Sequence, residues 1–320
     1  MQKRRIIPTT KTNLRHLWLE KLGGIETVSV RNKEWITLLT EDTRNSLMIE
    51  GHFITRADLK EAIENPKYSK NGYKILGYFD AAVACYELAF QQYRSKEFRL
   101  TKAIIRQIHS MMFRGDPNFP YSPGEWRKGP IEITGSKVKT DDSFGIEDDI
   151  EKLIDIVNRP EEDLIKKIAV VHDMFEQIHP FPDGNGRVGR ILINFILVGH
   201  GLPNIAIKGS DQNKKIYISA LEEADPIVAD ILHGNTKKDV FSKPLIQLEE
   251  LLNRSLAIAM DVIICNRYNK IKALIPLSEI AKDLGKSALG IRVACSQKKI
   301  ICANIDGVMK THPDLFNPPS

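Results

Sequence analysis

A chain of 320 residues is long enough for about two domains and for a core able to carry an active site. Hydrophobic residues at 42% and charged residues at 27% are globular values and exclude a disordered, fibrous or collagen-like chain. A net charge of +5 is too mild to name a nucleic-acid or membrane partner. The four cysteines, Cys85, Cys265, Cys295 and Cys302, form no C-x-x-C pair, which argues against a zinc ribbon or a disulfide scaffold and for a reducing cytoplasm. The basic N-terminus is followed by no apolar stretch, and the longest apolar run, Ile191 to Val198, is broken by Asn194, well short of the ~18 residues of a membrane span. No export signal, membrane anchor or membrane partner is expected.

In chain order, helical period is read over 33–50, 73–93, 98–113 and 147–157. From Tyr121 to Asp142, Pro-Gly turns and the alternation Ile131-Glu-Ile133-Thr predict a hairpin in an otherwise helical protein. Between Glu161 and Ile178 the apolar positions Leu164, Ile168, Val171, Phe175 and Ile178 step by four, three, four and three, one face of a helix. A second strong helix runs from about Arg187 to Val198, burying Ile191, Leu192, Phe195 and Ile196, and ends at Gly199, Gly201 and Pro203. Helices at 212–223, 226–233 and 244–265 follow. After Asn266, Leu277 to Leu284 and Ala288 to Gln297 predict two short helices about the turn Gly285-Lys-Ser287, then a hairpin from Ile300 to Met309 around Asp306-Gly307. That is the layout of a winged helix-turn-helix module, and its net charge of +3 from Ile271 to Ser320 suits DNA or a protein partner equally.

The loop between the two strong helices, His179-Pro-Phe-Pro-Asp-Gly-Asn-Gly-Arg-Val-Gly-Arg190, concentrates chemistry-bearing residues. Gly184, Asn185 and Gly186 can bring backbone N–H groups close to an anion at the mouth of the next helix. Arg187 and Arg190 fall in its first turn, where the macrodipole disfavours cations unless an anion is bound, so the pattern suggests a polyphosphate. Gly184-x-Gly186-x-x-Gly189 also spells the dinucleotide fingerprint, but that motif needs a strand before it and a helical segment precedes it here. His179 at the lip of such a site can take a proton from a hydroxyl, and Asp183 can hold Mg²⁺ against phosphate oxygens. Taken singly, each has a plainer reading: a His-Pro helix end, an Asp-Gly turn.

This stretch resembles the signature of Fic-domain proteins, His-x-Phe-x-(Asp/Glu)-Gly-Asn-(Gly/Lys)-Arg-x-x-Arg, at every defined position. The resemblance implies a mainly α fold: a Fic-type helical domain with a small β-hairpin flap, here followed by the winged helix-turn-helix-like domain. It also implies transfer of AMP from Mg·ATP to a Ser, Thr or Tyr hydroxyl of a protein, the chain itself included. On that basis His179 would be the general base and Asp183 the Mg²⁺ ligand. Gly184, Asn185 and Gly186 would form the anion hole, Arg187 and Arg190 would grip the β- and γ-phosphates, and Phe181 would pack inward. The segment Gly124-Glu-Trp126-Arg127-Lys-Gly-Pro-Ile131-Glu-Ile133 is similar to the family's flap, which docks a target segment as an added strand. Tyr217 with Ala220-Leu221 resembles a segment near the nucleotide base, Ile218 standing where the family has a second tyrosine.

Upstream, Ser46 and Glu50 share one helix face, and Glu50 abuts the probable cap Gly51, the end where the dipole disfavours an anion. Such a carboxylate would sit better beside an arginine. The stretch resembles the inhibitory (Ser/Thr)-x-x-x-Glu-(Gly/Asn) helix of Fic proteins, which implies that Glu50 lies against Arg190 and blocks the γ-phosphate. The domain reading is an N-terminal helical region 1–95 with the inhibitory helix at about 40–51, a catalytic core 96–225, a helical extension 226–270 and the winged-helix-like domain 271–320. Rival readings are a nucleotide-sensing transcriptional regulator, removal of AMP, or another nucleotidyl or phosphoryl transfer. A homodimer is left open.

Overall fold

The structure is a computed structural model and describes residues 10–26, 32–65, 72–131, 145–160, 163–234, 241 and 243–319. Ten helices build the body: α1 (Thr10–Lys21), α2 (Lys33–Ile49), α3 (Arg56–Glu64), α4 (Gly72–Ser95), α5 (Lys102–Phe113), α6 (Ile146–Asn158), α7 (Leu164–Ile178), α8 (Asn185–Gly199), α9 (Asp211–Leu232) and α10 (Ile246–Tyr268). The central one is α8, apolar on every side and buried along its length except at Gly186, which is how a helix enclosed by others reads. Helices α2, α4, α5 and α7 pack around it. At Gly77 of α4 an added Cβ would lie 2.0 Å from the Met112 carbonyl, so the backbones of α4 and α5 meet there and only glycine fits.

A buried polar chain fixes α2, α4 and α8 to one another. Tyr78 and Tyr86 donate to the two oxygens of Asp42 at 3.1 and 2.7 Å, and Asn194 donates to Tyr86 and to the Ile205 carbonyl while accepting from the Ile205 N–H. Each of these side chains is nearly sealed from water, so the bonds specify one register of the three helices.

Several elements differ from the sequence expectation. The helix expected from 98 starts at Lys102, because the Thr101 side chain caps it by accepting from the Ile104 N–H. The helices expected at 212–223 and 226–233 are one continuous α9 with Pro226 inside it. Packing of its buried face, Tyr217, Ala220, Ala224, Val228 and Leu232, against α7 and α10 outweighs the hydrogen bond that the proline cannot donate. Helices α1 and α3 were not expected. The inner side of α1 carries buried Arg15 beside Trp18 and Leu19, which breaks its apolar stripe, and α3 buries only Leu59 and Ala62, though its capping box Thr55/Asp58 is visible in the sequence. Of the hairpin expected over 121–142, residues 121–131 form turns and bends without strand pairing, and residues 132–142 lie outside those described.

The C-terminal part holds β1 (Ile275–Pro276), α11 (Leu277–Asp283), α12 (Ala288–Ser296), β2 (Ala303–Ile305), β3 (Val308–Thr311) and a 3-10 turn (Pro313–Phe316). The sheet is antiparallel in the order β1-β3-β2, with Ile305 opposite Val308 across the Asp306-Gly307 turn, both of whose residues have positive φ. Cys295 and Cys302, seven residues apart, form a disulfide in the small core of this part. Their spacing gave no sign of it; the turn after α12 brings them together. Among the described residues, no helix is long and apolar enough to cross a membrane.

Candidate active site

The end of α7 and the start of α8 are joined by the glycine loop, and the backbone at both junctions is unusual. His179 ends α7 in the left-handed region (φ 48°, ψ 57°) and Gly184 begins α8 there (φ 84°). A Cβ on Gly184 would stand 2.6 Å from the Phe113 ring, so both the conformation and the space require glycine. Asn185 closes the loop on itself, accepting from the Phe181 N–H and donating to the Phe181 carbonyl, each at 2.8 Å. Its side chain therefore shapes the loop and leaves the first-turn N–H groups of α8 to face a ligand.

The protonation of His179 follows from its contacts. Nδ1 lies 3.1 Å from the Glu176 carbonyl oxygen, which can only accept, so the ring proton sits on Nδ1 and Nε2 is the free base. Burial, with the Arg127 charge added, lowers its pKa below the usual histidine value although the Glu176 carbonyl works the other way. A neutral imidazole at pH 7 is the outcome.

Two residues outside the loop hold this geometry, His109, to which the sequence assigns no role, and Arg127, which it places on the flap. His109, at the core of α5, accepts from the Gly124 N–H and donates to the Asp183 carbonyl at 3.0 Å, with its ring stacked on Phe181 at 3.9 Å. Burial pushes its pKa down to about 4, so it stays neutral in that bridge. Arg127 is buried and turned inward: Nε donates to the His179 carbonyl at 2.9 Å, Nη2 to Ile178, and its own N–H to the Pro180 carbonyl. It was expected on a target-docking flap. Its guanidinium caps the last carbonyls of α7, the end of a helix that favours a cation. Trp126 packs on Phe181 at 4.8 Å and under Arg106, its buried Nε1 without a hydrogen-bond partner. Ile131 is half-buried, and Ile133 lies outside the described residues.

The two arginines of α8 take different partners. Arg187 Nη2 donates to Asp183 at 3.2 Å and its guanidinium lies 4.8 Å over the Phe113 ring, while its buried Nε has no hydrogen-bond partner among the described residues. Asp183 also accepts from the Gly184 N–H and keeps 56% of its side chain exposed. Arg190, fully enclosed, donates Nε to Ser46 Oγ at 2.8 Å and Nη2 to the Ser46 carbonyl and to Glu50 Oε1, the latter at 2.5 Å. Glu50 is the C-cap of α2, and Gly51 (φ 84°) completes a Schellman turn in which the Gly51 and His52 N–H groups bond to Met48 and Leu47 carbonyls. Burial alone would raise the Glu50 pKa, but Arg190 beside it wins and lowers it. An added Cβ on Gly186 would meet Glu50 at 2.8 Å and Arg190 at 3.0 Å, so this pair lies directly on the loop.

Tyr217 is buried on the inner face of α9, its hydroxyl 2.7 Å from His172 and its side chain beside Arg190. Glu176 and His172 lie behind the loop against Gly189. Burial raises the Glu176 pKa to about 7 and lowers that of His172 to about 3. In front of the loop opens a cleft of about 410 Å³, walled by Glu50, Asp183, Arg187 and residues from α4, α5 and the segment after α5. Asp183 is its one carboxylate not tied to Arg190 that also belongs to the loop. Among the described residues no group of three or more potential metal ligands exists. One loop carboxylate, with Asp116 on another part of the cleft wall, fits Mg²⁺ carried largely on phosphate oxygens and water, and does not fit an ion caged by protein alone.

An all-helical core whose two central helices are joined by this loop defines the class: the chain belongs to the Fic/DOC family, whose pattern it matches over residues 99–197. It is 32% identical over 298 residues to a probable protein adenylyltransferase of Aquifex aeolicus (strain VF5), the match covering 88% of each chain. A Fic domain containing signaling protein from Bacteroides thetaiotaomicron VPI-5482 superposes with a TM-score of 0.61 at 24% identity, covering 79% of this chain and 96% of that one. A Fic family protein from Desulfovibrio desulfuricans G20 superposes with a TM-score of 0.53 at 16% identity over 97% and 98% of the two chains. These two likenesses concern the fold.

Proposed function

We propose that this protein transfers AMP from Mg·ATP to a hydroxyl side chain of a protein, and that Glu50 holds the reaction in check. The observation that carries the reading is the charge at the start of α8: two buried guanidiniums, one with an unpartnered Nε, beside a neutral His179 whose Nε2 is the free base. The acceptor oxygen bonds to the α-phosphorus, its proton passes to His179 Nε2, and the bond to the β-phosphate oxygen breaks, so that pyrophosphate leaves. The N–H groups at the mouth of α8, those of Asn185 and Gly186 in its first turn and that of Gly184 at its N-cap once released from Asp183, would stabilise the charge that builds on the α-phosphoryl oxygens, and Arg187 and Arg190 would hold the β- and γ-phosphates. Asp183 would hold Mg²⁺, whose chemistry there is to neutralise phosphate charge. A cytoplasmic setting supplies ATP and protein targets.

The pairing of Arg190 with Glu50 supports the restraint, since that guanidinium cannot serve Glu50 and a γ-phosphate at once. The test is incubation with α- or γ-labelled ATP and Mg²⁺. Label from the α-position on the protein or on added lysate proteins is the expected result; transfer of γ-label alone would overturn the reading in favour of phosphotransfer.

A further inference from the structure

The cleft in front of the loop has a second cationic wall, contributed by residues outside the signature. Besides Asp183 and Arg187 it is lined by His52, just past the end of α2, and by Lys74, in the first turn of α4. Lys74 Nζ stands 3.2 Å from His52 Nε2. An ammonium has no lone pair to accept with, so Lys74 donates and His52 accepts through an unprotonated Nε2. Burial, then the charges of Lys74 and Arg187, lower the His52 pKa, which fits that assignment.

No carboxylate pairs with Lys74 among the described residues: of the three that line the cleft, Glu50 goes to Arg190, Asp183 to Arg187, and Asp116 accepts from the Asn118 N–H. The residue is half-buried, and it sits at the helix end where the dipole disfavours a cation. A lysine in that position, steered by a neutral histidine toward a polar cleft that already holds Arg187, is arranged for an anion from outside the chain.

We propose that Lys74, oriented by His52, is a further ligand of the terminal phosphates of the nucleotide and of the pyrophosphate that leaves. The inference rests on the adenylyl-transfer reading. When the α-phosphorus bonds to the acceptor oxygen, the electron pair of the broken bond stays with the bridging oxygen, and the pyrophosphate so formed carries more negative charge than it did in the nucleotide. An ammonium in the same cleft as Arg187 can meet that charge beside the guanidinium.

The test is calorimetric titration of the full chain carrying Glu50→Gly, with inorganic pyrophosphate and Mg²⁺ and, separately, with AMP. Lys74→Met added to that protein should weaken pyrophosphate binding about tenfold, the scale of one charge-assisted hydrogen bond, and leave AMP binding unchanged. Lys74→Gln, tested beside it, should do the same, and matched thermal unfolding of all three proteins guards against a folding defect. Equal pyrophosphate affinity with and without Lys74, an equal loss for AMP, or no pyrophosphate binding by the Glu50→Gly parent would each overturn the proposal. Binding of pyrophosphate needs no acceptor hydroxyl, so a failure of α-label transfer would sink the adenylyl-transfer reading and leave this measurement standing.

Discussion

His179 works from a backbone conformation that costs a residue with a Cβ roughly 1–2 kcal/mol. Three contacts offset it: its own Nδ1–H on the Glu176 carbonyl, the Arg127 Nε on the His179 carbonyl, and the Arg127 N–H on Pro180. The same contacts fix the tautomer, so strain, aim and protonation are settled together. His179→Ala should reduce α-label transfer by about 10²-fold or more and leave Mg·ATP affinity nearly intact, as measured by initial rates and calorimetry. Loss of nucleotide binding in that variant would make His179 a structural residue. Arg127→Met keeps the stem but leaves the carbonyls of Ile178 and His179 without their donor, so it should lower transfer with His179 still present. An unchanged rate in Arg127→Met would separate the loop's shape from its chemistry.

Helix α2 carries two carboxyl groups at different depths, Asp42 in its middle and Glu50 at its C-cap, and each gives the element a measurable property. At its end, Glu50 pairs with Arg190, and on the proposed reading it would compete there with phosphate. Glu50→Gly should label more strongly than wild type by at least about tenfold, which needs only ~1.4 kcal/mol of relieved competition. Arg190→Ala removes the phosphate contact along with the partner and should not reproduce that gain. Equal labelling by wild type and Glu50→Gly across a range of ATP concentrations would return Glu50 to a plain helix cap.

In the middle of α2, Asp42 is buried, and burial raises its pKa from 3.8 to about 7 although two tyrosine hydroxyls lower it in part. The folded state thus keeps a proton that the unfolded chain gives up near pH 4. The stability this contributes is fully present below about pH 4 and is lost as the pH rises through about 7. Denaturation at pH 5 and pH 8 should show wild type losing ground to Asp42→Asn at the higher pH, on the order of a few kcal/mol. A constant difference between the two proteins would mean that Asp42 is ionised throughout.

What the sequence disclosed at this scale follows a simple division. The loop from His179 to Arg190 was legible because its residues are contiguous and each is odd for its place: glycines at a helix start, arginines where the dipole repels them. Glu50 was legible for the same reason, a carboxylate at a helix C-cap. His109, Arg127 and Lys74 were not, since each looks ordinary on its own segment and acquires a role only by meeting a residue 15 to 74 positions away or a neighbouring wall of the cleft. Pro226 misled for the opposite reason: its local signal is strong, and packing overrode it.

At the scale of the whole molecule, α1 joins parts of the chain that are distant in sequence. Arg15 donates Nε to Asp261 of α10 at 2.7 Å and Nη2 to the Ile300 carbonyl, Lys298 reaches the same Asp261 at 3.1 Å, and Trp18 donates to the Asn317 carbonyl. All three charged groups are almost or fully buried. Asp261→Ala would remove the buried carboxylate that Arg15 and Lys298 share, and should cost about 3–5 kcal/mol in unfolding free energy. Replacing Arg15 and Asp261 together by Met and Leu should recover most of it. If Asp261→Ala proves nearly neutral in urea denaturation, water must reach that cluster.

The span of this tie, 246 residues between Arg15 and Asp261, also sets an order in time. At ~5–20 residues per second of synthesis, α1 waits roughly 10–50 s for its partner to be made. Glu50, Arg127, His179 and Arg190 have all been synthesised well before then. The growing chain can therefore assemble the loop and the Glu50–Arg190 pair while α1 is still undocked, and a stretch made later still, carrying Lys298, Ile300 and Asn317, is the one that closes over α1.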